Sequence, residues 1–210
     1  MRRSYILLTP ILVVVAGFAV LAASQQDPVT QAGDDVPENV VPATTVQEPE
    51  FIGASRCRTC HRKEEAGAQY PKWEESRHSK AYMTLASDEA KAIATEKGIE
   101  NPQTAAECLQ CHVTAHGVPE ERLGEKYSIE EGVGCESCHG AGGDYYKKST
   151  MESIMAGETE GASVGLVTPD DQVCVGCHNE KSPTFKGFDF EEYSAKIAHP
   201  IPEATKAQYQ

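Results

Sequence analysis

The pattern that most constrains this chain is a five-residue motif that occurs four times and uses every cysteine. It reads Cys57-Arg58-Thr59-Cys60-His61, Cys108-Leu109-Gln110-Cys111-His112, Cys135-Glu136-Ser137-Cys138-His139 and Cys174-Val175-Gly176-Cys177-His178. Histidine makes up 7 of 210 residues, so chance would place one after all four pairs only about once in a million. Two thiols, two residues apart and followed at once by an imidazole, are the attachment signature of c-type haem. The thiols add to the porphyrin vinyl groups and the imidazole coordinates iron. Two other uses of paired cysteines weigh less. Structural disulfides suit an exported protein, but a bridge across two residues is a redox arrangement and gives no reason for the histidines. Zinc sites also use C-x-x-C pairs, without requiring histidine at the next position four times over. The expectation is four haem c groups, held through Cys57, Cys60, Cys108, Cys111, Cys135, Cys138, Cys174 and Cys177.

This cofactor load bears on the fold. Apolar residues are only 40% of the chain, below the usual globular share, and many of them lie in the first 23 positions. Four haems on the remaining folded part leave roughly 40 residues for each, too few to wrap every haem separately. The expectation is a mainly α domain with extensive loops, compact and tetrahaem, its core largely porphyrin. A capping box at Thr104 and Glu107 predicts a helix carrying the second motif, and Ser149 and Glu152 suggest another. Ser87 to Gly98 reads as a helix with a serine N-cap and a glycine end. Glu64 to Leu85 reads as a helix interrupted at Pro71, with Trp73 packing on a haem, and Glu191 to Ala198 as a last helix stopped at Pro200. Uneven spacing between the motifs argues against a simple repeat array.

Residues 1–24 carry Arg2 and Arg3, an uncharged run from Ile6 to Ala23 and the small residues Ala22, Ala23 and Ser24. That order predicts a secretory signal, with an uncleaved membrane anchor as the alternative, and hence a periplasmic or otherwise extracytoplasmic location. Residues 25–50 hold four prolines and six acidic residues, with no Lys, Arg or aromatic. Such a composition reads as a disordered tether, which leaves 51–210 as the domain. The whole chain has 19 basic against 32 acidic side chains. This balance argues against nucleic acid as a partner and favours a redox partner with a basic docking surface.

Four haems offer eight axial positions. His61, His112, His139 and His178 fill four, and only His78, His116 and His199 remain. At least one iron must therefore be open, water-bound or held by another residue such as Met83, Met151 or Met155. His116 lies four residues after His112, too near to reach round to the far face of the same haem.

The residues resemble the multihaem cytochrome c-554 family from about Gly53 to His199. The carriers are Gly53-Ala54-Ser55-Arg56-Cys57, Trp73 with Ser76, His78, Lys80 and Ala81, Cys111-His112-Val113-Thr114, and above all Gly132-Val133-Gly134-Cys135-Glu136-Ser137-Cys138-His139-Gly140. The resemblance implies His78 as distal ligand of the third haem, His199 as that of the fourth, and an open iron at the second. It also implies a distal histidine for the first haem soon after the third motif, where Ala141 to Glu160 contain none. His116, Met151 or Met155 then substitutes, or that iron is open too.

These readings predict an extracytoplasmic electron carrier between a partner oxidoreductase and a membrane or soluble acceptor, touching the membrane only through the N-terminal segment. An enzyme that binds or reduces a small nitrogen species at an open iron is the alternative from a different class. A subunit of a cytochrome filament is a third. No other catalytic constellation competes with the haems.

Overall fold

Helices of four to nine residues, joined by turns, carry the chain through residues 47–209, the part that the computed structural model describes. In order they are α1 Ala54–His61, α2 Gln69–Glu75, α3 Ala81–Thr84, α4 Asp88–Glu96, α5 Ala106–His112, α6 Glu136–His139, α7 Lys148–Met155, α8 Asp171–Val175, α9 Phe190–Ile197 and α10 Glu203–Lys206. Among the described residues the only β pairing is a single parallel bridge between Phe51 and Leu123, so the architecture is mainly α with extensive loops. Helices this short are marginal alone and must be held by what they pack against.

Local chemistry explains where they start and stop. The Ser87 hydroxyl accepts from the Ala90 N–H at 3.1 Å and opens α4. Its end carries Gly98 in the left-handed region, with the Ile99 N–H returning to the Ala94 carbonyl at 2.8 Å, the αL cap expected there. Asp170 and Asp189 cap α8 and α9 in the same way.

Three expected boundaries moved. Thr104 does not open a capping box, because Asn101 intervenes. The Asn101 side chain accepts from the Gln103 N–H, and its carbonyl takes the Thr104 and Ala105 N–H groups together with the Thr104 hydroxyl. Thr104 is spent in that turn and α5 starts at Ala106 with no side-chain cap. Ser149 lies inside the first turn of α7, since the Met151 N–H already bonds the Lys147 carbonyl at 3.0 Å. Pro71 sits in the first turn of α2, where its missing N–H costs nothing. The real break is Ser76-Arg77-His78-Ser79: the Ser76 hydroxyl accepts from the His78 N–H, and the Ser79 hydroxyl donates to the Glu74 and Ser76 carbonyls. These local bonds compete with the helix ladder.

The protein interior is thin. Among the described residues eight hydrophobic ones are buried, and no large side chain is less than 2% exposed. The one contiguous cluster, Leu85, Leu109 and Val113 with Tyr82 and Cys108 against it, lies beside the second motif. An interior this sparse leaves room for a core that side chains do not supply.

Residues 1–46, which include the expected secretory segment and most of the expected tether, lie outside the described residues. The last residues of the expected tether, Glu48 to Glu50, are described and are fastened to the fold. Arg122 donates to the Pro49 carbonyl at 2.9 Å and pairs with Glu48, while the Gly143 N–H donates to the Glu50 carbonyl at 2.9 Å. Composition gave no sign of this because the anchoring arginine is 73 residues away. Among the described residues no helix is long and apolar enough to cross a membrane.

Candidate haem-binding site

A helical turn is what makes the motif work. At i, i+3 and i+4 the two cysteines and the histidine share one face. α1 carries Cys57, Cys60 and His61, and α5 carries Cys108, Cys111 and His112. Cys135 caps α6, which holds Cys138 and His139. In each of these three the histidine is the last helical residue. In the fourth motif α8 ends at Val175, but the turn continues, with the His178 N–H on the Cys174 carbonyl at 2.9 Å. All eight thiols are free.

The histidines are oriented for metal ligation. Nδ1 of His112 donates to the Ala81 carbonyl at 2.8 Å, Nδ1 of His139 to Val167 at 3.1 Å and Nδ1 of His61 to the Gln69 amide oxygen at 3.2 Å. Nδ1 of His199 donates to Ile197 at 2.8 Å. Each of these bonds fixes the ring and leaves Nε2 as the free ligand nitrogen. Burial lowers the pKa of His78, His139 and His178, favouring the neutral imidazole that metals bind.

Two imidazole pairs face one another. The ring centroids of His78 and His178 are 6.0 Å apart at 75°, and those of His139 and His199 are 6.0 Å apart at 70°. Two metal–imidazole bonds of about 2 Å each, plus the ring radii, span about that distance, so each gap fits one iron. The pairing exchanges the two distal histidines relative to the expectation. His78 faces the fourth motif and His199 the third, where the resemblance implied the reverse. The reason lies in the chain path. His199 follows α9 and turns at Pro200 towards the Gly67 loop and the third motif, while His78 binds the run before the third motif through its backbone carbonyl and sets its ring against His178. His116 lies exposed in the turn Thr114–Gly117 and is brought to no other imidazole among the described residues. Met151 and Met155 are half-buried on α7, and Met83 is 57% exposed.

The run Gly132–Gly140, the most specific part of the resemblance, is where the other motifs are tied together. The Val133 N–H donates to the His78 carbonyl at 3.0 Å, and the Val133 carbonyl accepts from the Trp73 indole at 2.8 Å. Trp73 thus braces the backbone with its polar edge. The Thr114 hydroxyl, just after the second motif, accepts from the Gly134 N–H at 2.7 Å and bonds the Ser137 hydroxyl at 2.8 Å. Gly132 has φ +65°, and a Cβ there would come within 2.7 Å of the His78 carbonyl. Gly140, also at positive φ, passes so close to the Gly165 carbonyl that a side chain would collide. Glu136 inside the third motif is buried and accepts from the Ile52, Gly53 and Gly142 N–H groups at 2.8, 2.8 and 2.7 Å. Burial nonetheless raises its pKa against those three donors.

The thiols link the motifs in space. Cys135 lies beside Cys57 and, ahead of burial, raises its pKa. Burial raises the Cys138 pKa, and the nearby Cys174 adds to the rise. Cys177, pushed up to about 12 by burial first, lies beside Cys111. The order in space is therefore first, third, fourth, second. Sequence reasoning missed Glu131, Glu136, Thr114, Gln69 and Arg122. Only Glu136 carried a cue, as a carboxylate between two cysteines that must lie close to the haem.

Four attachment motifs on helical turns, oriented imidazoles and a protein interior left open define a tetrahaem c-type cytochrome. Comparison with known proteins finds likenesses of the same kind. The family described as "Cytochrome c554 and c-prime" matches residues 56–140. Cytochrome c-554 of Nitrosomonas europaea is 30% identical over 154 residues, which make up 65% of this chain and 61% of that protein. This chain thus spans less than two thirds of the relative's length. The solved reduced state of cytochrome c554 from the same organism aligns at 24% identity with a TM-score of 0.45, covering 76% of this chain and 83% of that one. The family and sequence matches are likenesses to cytochrome c-554, and the eight cysteines in four motifs fit four haem c groups.

Proposed function

We propose that the protein is an extracytoplasmic electron-transfer cytochrome, relaying electrons between a partner oxidoreductase and a membrane or soluble acceptor. The observation that carries this is the spatial order of the motifs, Cys57 by Cys135, Cys138 acted on by Cys174, and Cys177 by Cys111, which strings four attachment sites into one thread. The haems supply the one-electron chemistry. The chain's own residues would hold them: the eight cysteines through thioether bonds, His61, His112, His139 and His178 as the ligands adjacent to each pair, and His78 and His199, which face His178 and His139, as further ligands. His61 and His112 face no second imidazole among the described residues. Of these two, the second motif, with the apolar Leu85–Leu109–Val113 cluster at its side, is the place for an open iron.

The acidic surface favours a partner with a basic docking patch. The test is stopped-flow electron exchange between the four-haem protein and a small basic redox protein across ionic strengths. A rate that falls as salt rises supports the docking reading; exchange of fewer than four electrons per chain, or none, overturns the relay. Ferric paramagnetic resonance with and without nitric oxide checks the open iron. Four low-spin, unresponsive haems would remove it, and with it the reading as a small-molecule reductase.

A further inference from the structure

Four consecutive backbone N–H groups, from Ile52 to Ser55, open the helix that carries the first haem motif, and all four end on two carboxylates from another part of the chain. Glu136 takes Ile52 and Gly53 at 2.8 Å each, and Glu131 takes Ala54 at 2.8 Å and Ser55 at 3.1 Å. The sequence separations are 76 to 84 residues. The first N–H groups of a helix have no partners within it, and its positive end favours a carboxylate. Glu136 lies between the two cysteines of the third motif, Glu131 four residues before that motif. Glu136 is 4% exposed and also takes the Gly142 N–H at 2.7 Å, so both its oxygens are used. Cys57, two residues beyond Ser55, then comes to rest beside Cys135.

We infer that Glu131 and Glu136 are positioning residues, a two-carboxylate clasp that holds the first haem's helix on the third haem's motif and sets how strongly these two haems interact. The inference deepens the relay reading and rests on it only for the use of that interaction. Neither carboxylate touches an iron ligand in these bonds. They act through the backbone of residues 52–55, and charge-assisted bonds to N–H groups are the strong, directional kind.

The test uses the full four-haem protein and the substitutions Glu136→Gln, Glu131→Gln and both together. Glutamine keeps the size but leaves one acceptor oxygen in place of two. The expected result has three parts: four haems still attached by haem assay and intact mass, at least tenfold faster amide exchange confined to residues 52–55, and a change in the ferric paramagnetic resonance features of the interacting first and third haems alone. Wild-type exchange and resonance in all three variants would overturn the inference. So would exchange that rises evenly over all four motifs with an unchanged resonance spectrum, which marks general destabilisation. Should Glu136→Gln lose a haem, Glu131→Gln, which leaves all three Glu136 bonds in place, decides the matter by the same two readouts. Failure of the wild-type protein to exchange electrons with any partner would sink the relay and leave this comparison standing.

Discussion

Two regions of the molecule hold their haem motifs by different means. From Glu48 to Tyr145 the first three motifs are laced together by bonds over long sequence distances: Glu131 and Glu136 on the start of α1, Thr114 on Gly134 and Ser137, Trp73 and His78 on Val133. From 168 to 201 no backbone hydrogen bond reaches the rest of the described chain. The fourth motif meets its neighbours only through side chains, Cys177 by Cys111, Cys138 by Cys174 and the His178 ring by His78. The polypeptide backbone itself ties three motifs together, whereas the fourth is set beside them by side chains alone. The family match covers 56–140, the laced region alone.

The largest effect should come from removing a haem on each side of that divide. Cys174→Ser with Cys177→Ser should yield a three-haem protein in which amides 171–199 exchange freely, while residues 51–56 and 131–142 stay protected. Cys135→Ser with Cys138→Ser should disturb the whole laced region, because Glu136, Ser137 and Gly134 bond to all its neighbours. Equal damage from the two double variants, read by hydrogen exchange, would erase the distinction.

The histidine pairs come next. His78→Ala should turn one low-spin ferric haem high-spin, and the change should vanish in the protein lacking the fourth haem but persist in the one lacking the third. His199→Ala should behave the opposite way. Paramagnetic resonance of the four combinations decides it, and the reverse pattern would restore the pairing that the resemblance implied.

This exchange of partners shows what sequence could and could not carry. The motifs were legible because the attachment chemistry requires fixed residues at fixed spacing, and their helical placement followed from i, i+3, i+4. Ser87 and Gly98 were legible because a cap is a local event. Counting singled out His78 and His199 as candidate ligands, but which motif's histidine each faces depends on the path of the chain between them, and spacing does not encode it. Thr104 misled because Asn101, three residues earlier, offered the backbone a better local bond. The clasp was hidden because a glutamate on a surface helix and one that caps a helix 76 to 84 residues away read alike.

Within the laced region, backbone fit should matter more than any single bond. Gly132→Ala forces a side chain into a positive φ and against the His78 carbonyl, at a cost of about 2–3 kcal/mol. Trp73→Phe keeps the ring but leaves the Val133 carbonyl without its donor, for about 1–2 kcal/mol. Denaturant unfolding of the four-haem protein measures both, and a larger loss from Trp73→Phe would mean that the indole N–H bond to Val133, rather than the close backbone approach, holds this stretch of chain in place.

The smallest effects test whether the two regions melt together. Ser87 and Asp189 are equivalent caps, each accepting an N–H three residues on, at 3.1 and 2.8 Å, and losing either costs its helix about 1 kcal/mol. Ser87 opens α4, which lies within the sequence span of the laced region and buries Ala94, so Ser87→Ala should lower the global melting temperature by about 2–4 °C. Asp189 opens α9, in the region joined only by side chains. If that region opens as its own unit, Asp189→Ala leaves the global transition within about 1 °C and instead raises amide exchange in α9 about fivefold. A matching drop in melting temperature from both substitutions would mean that haem attachment fuses the regions into one cooperative unit, with ligand bonds taking the place of the missing backbone lacing.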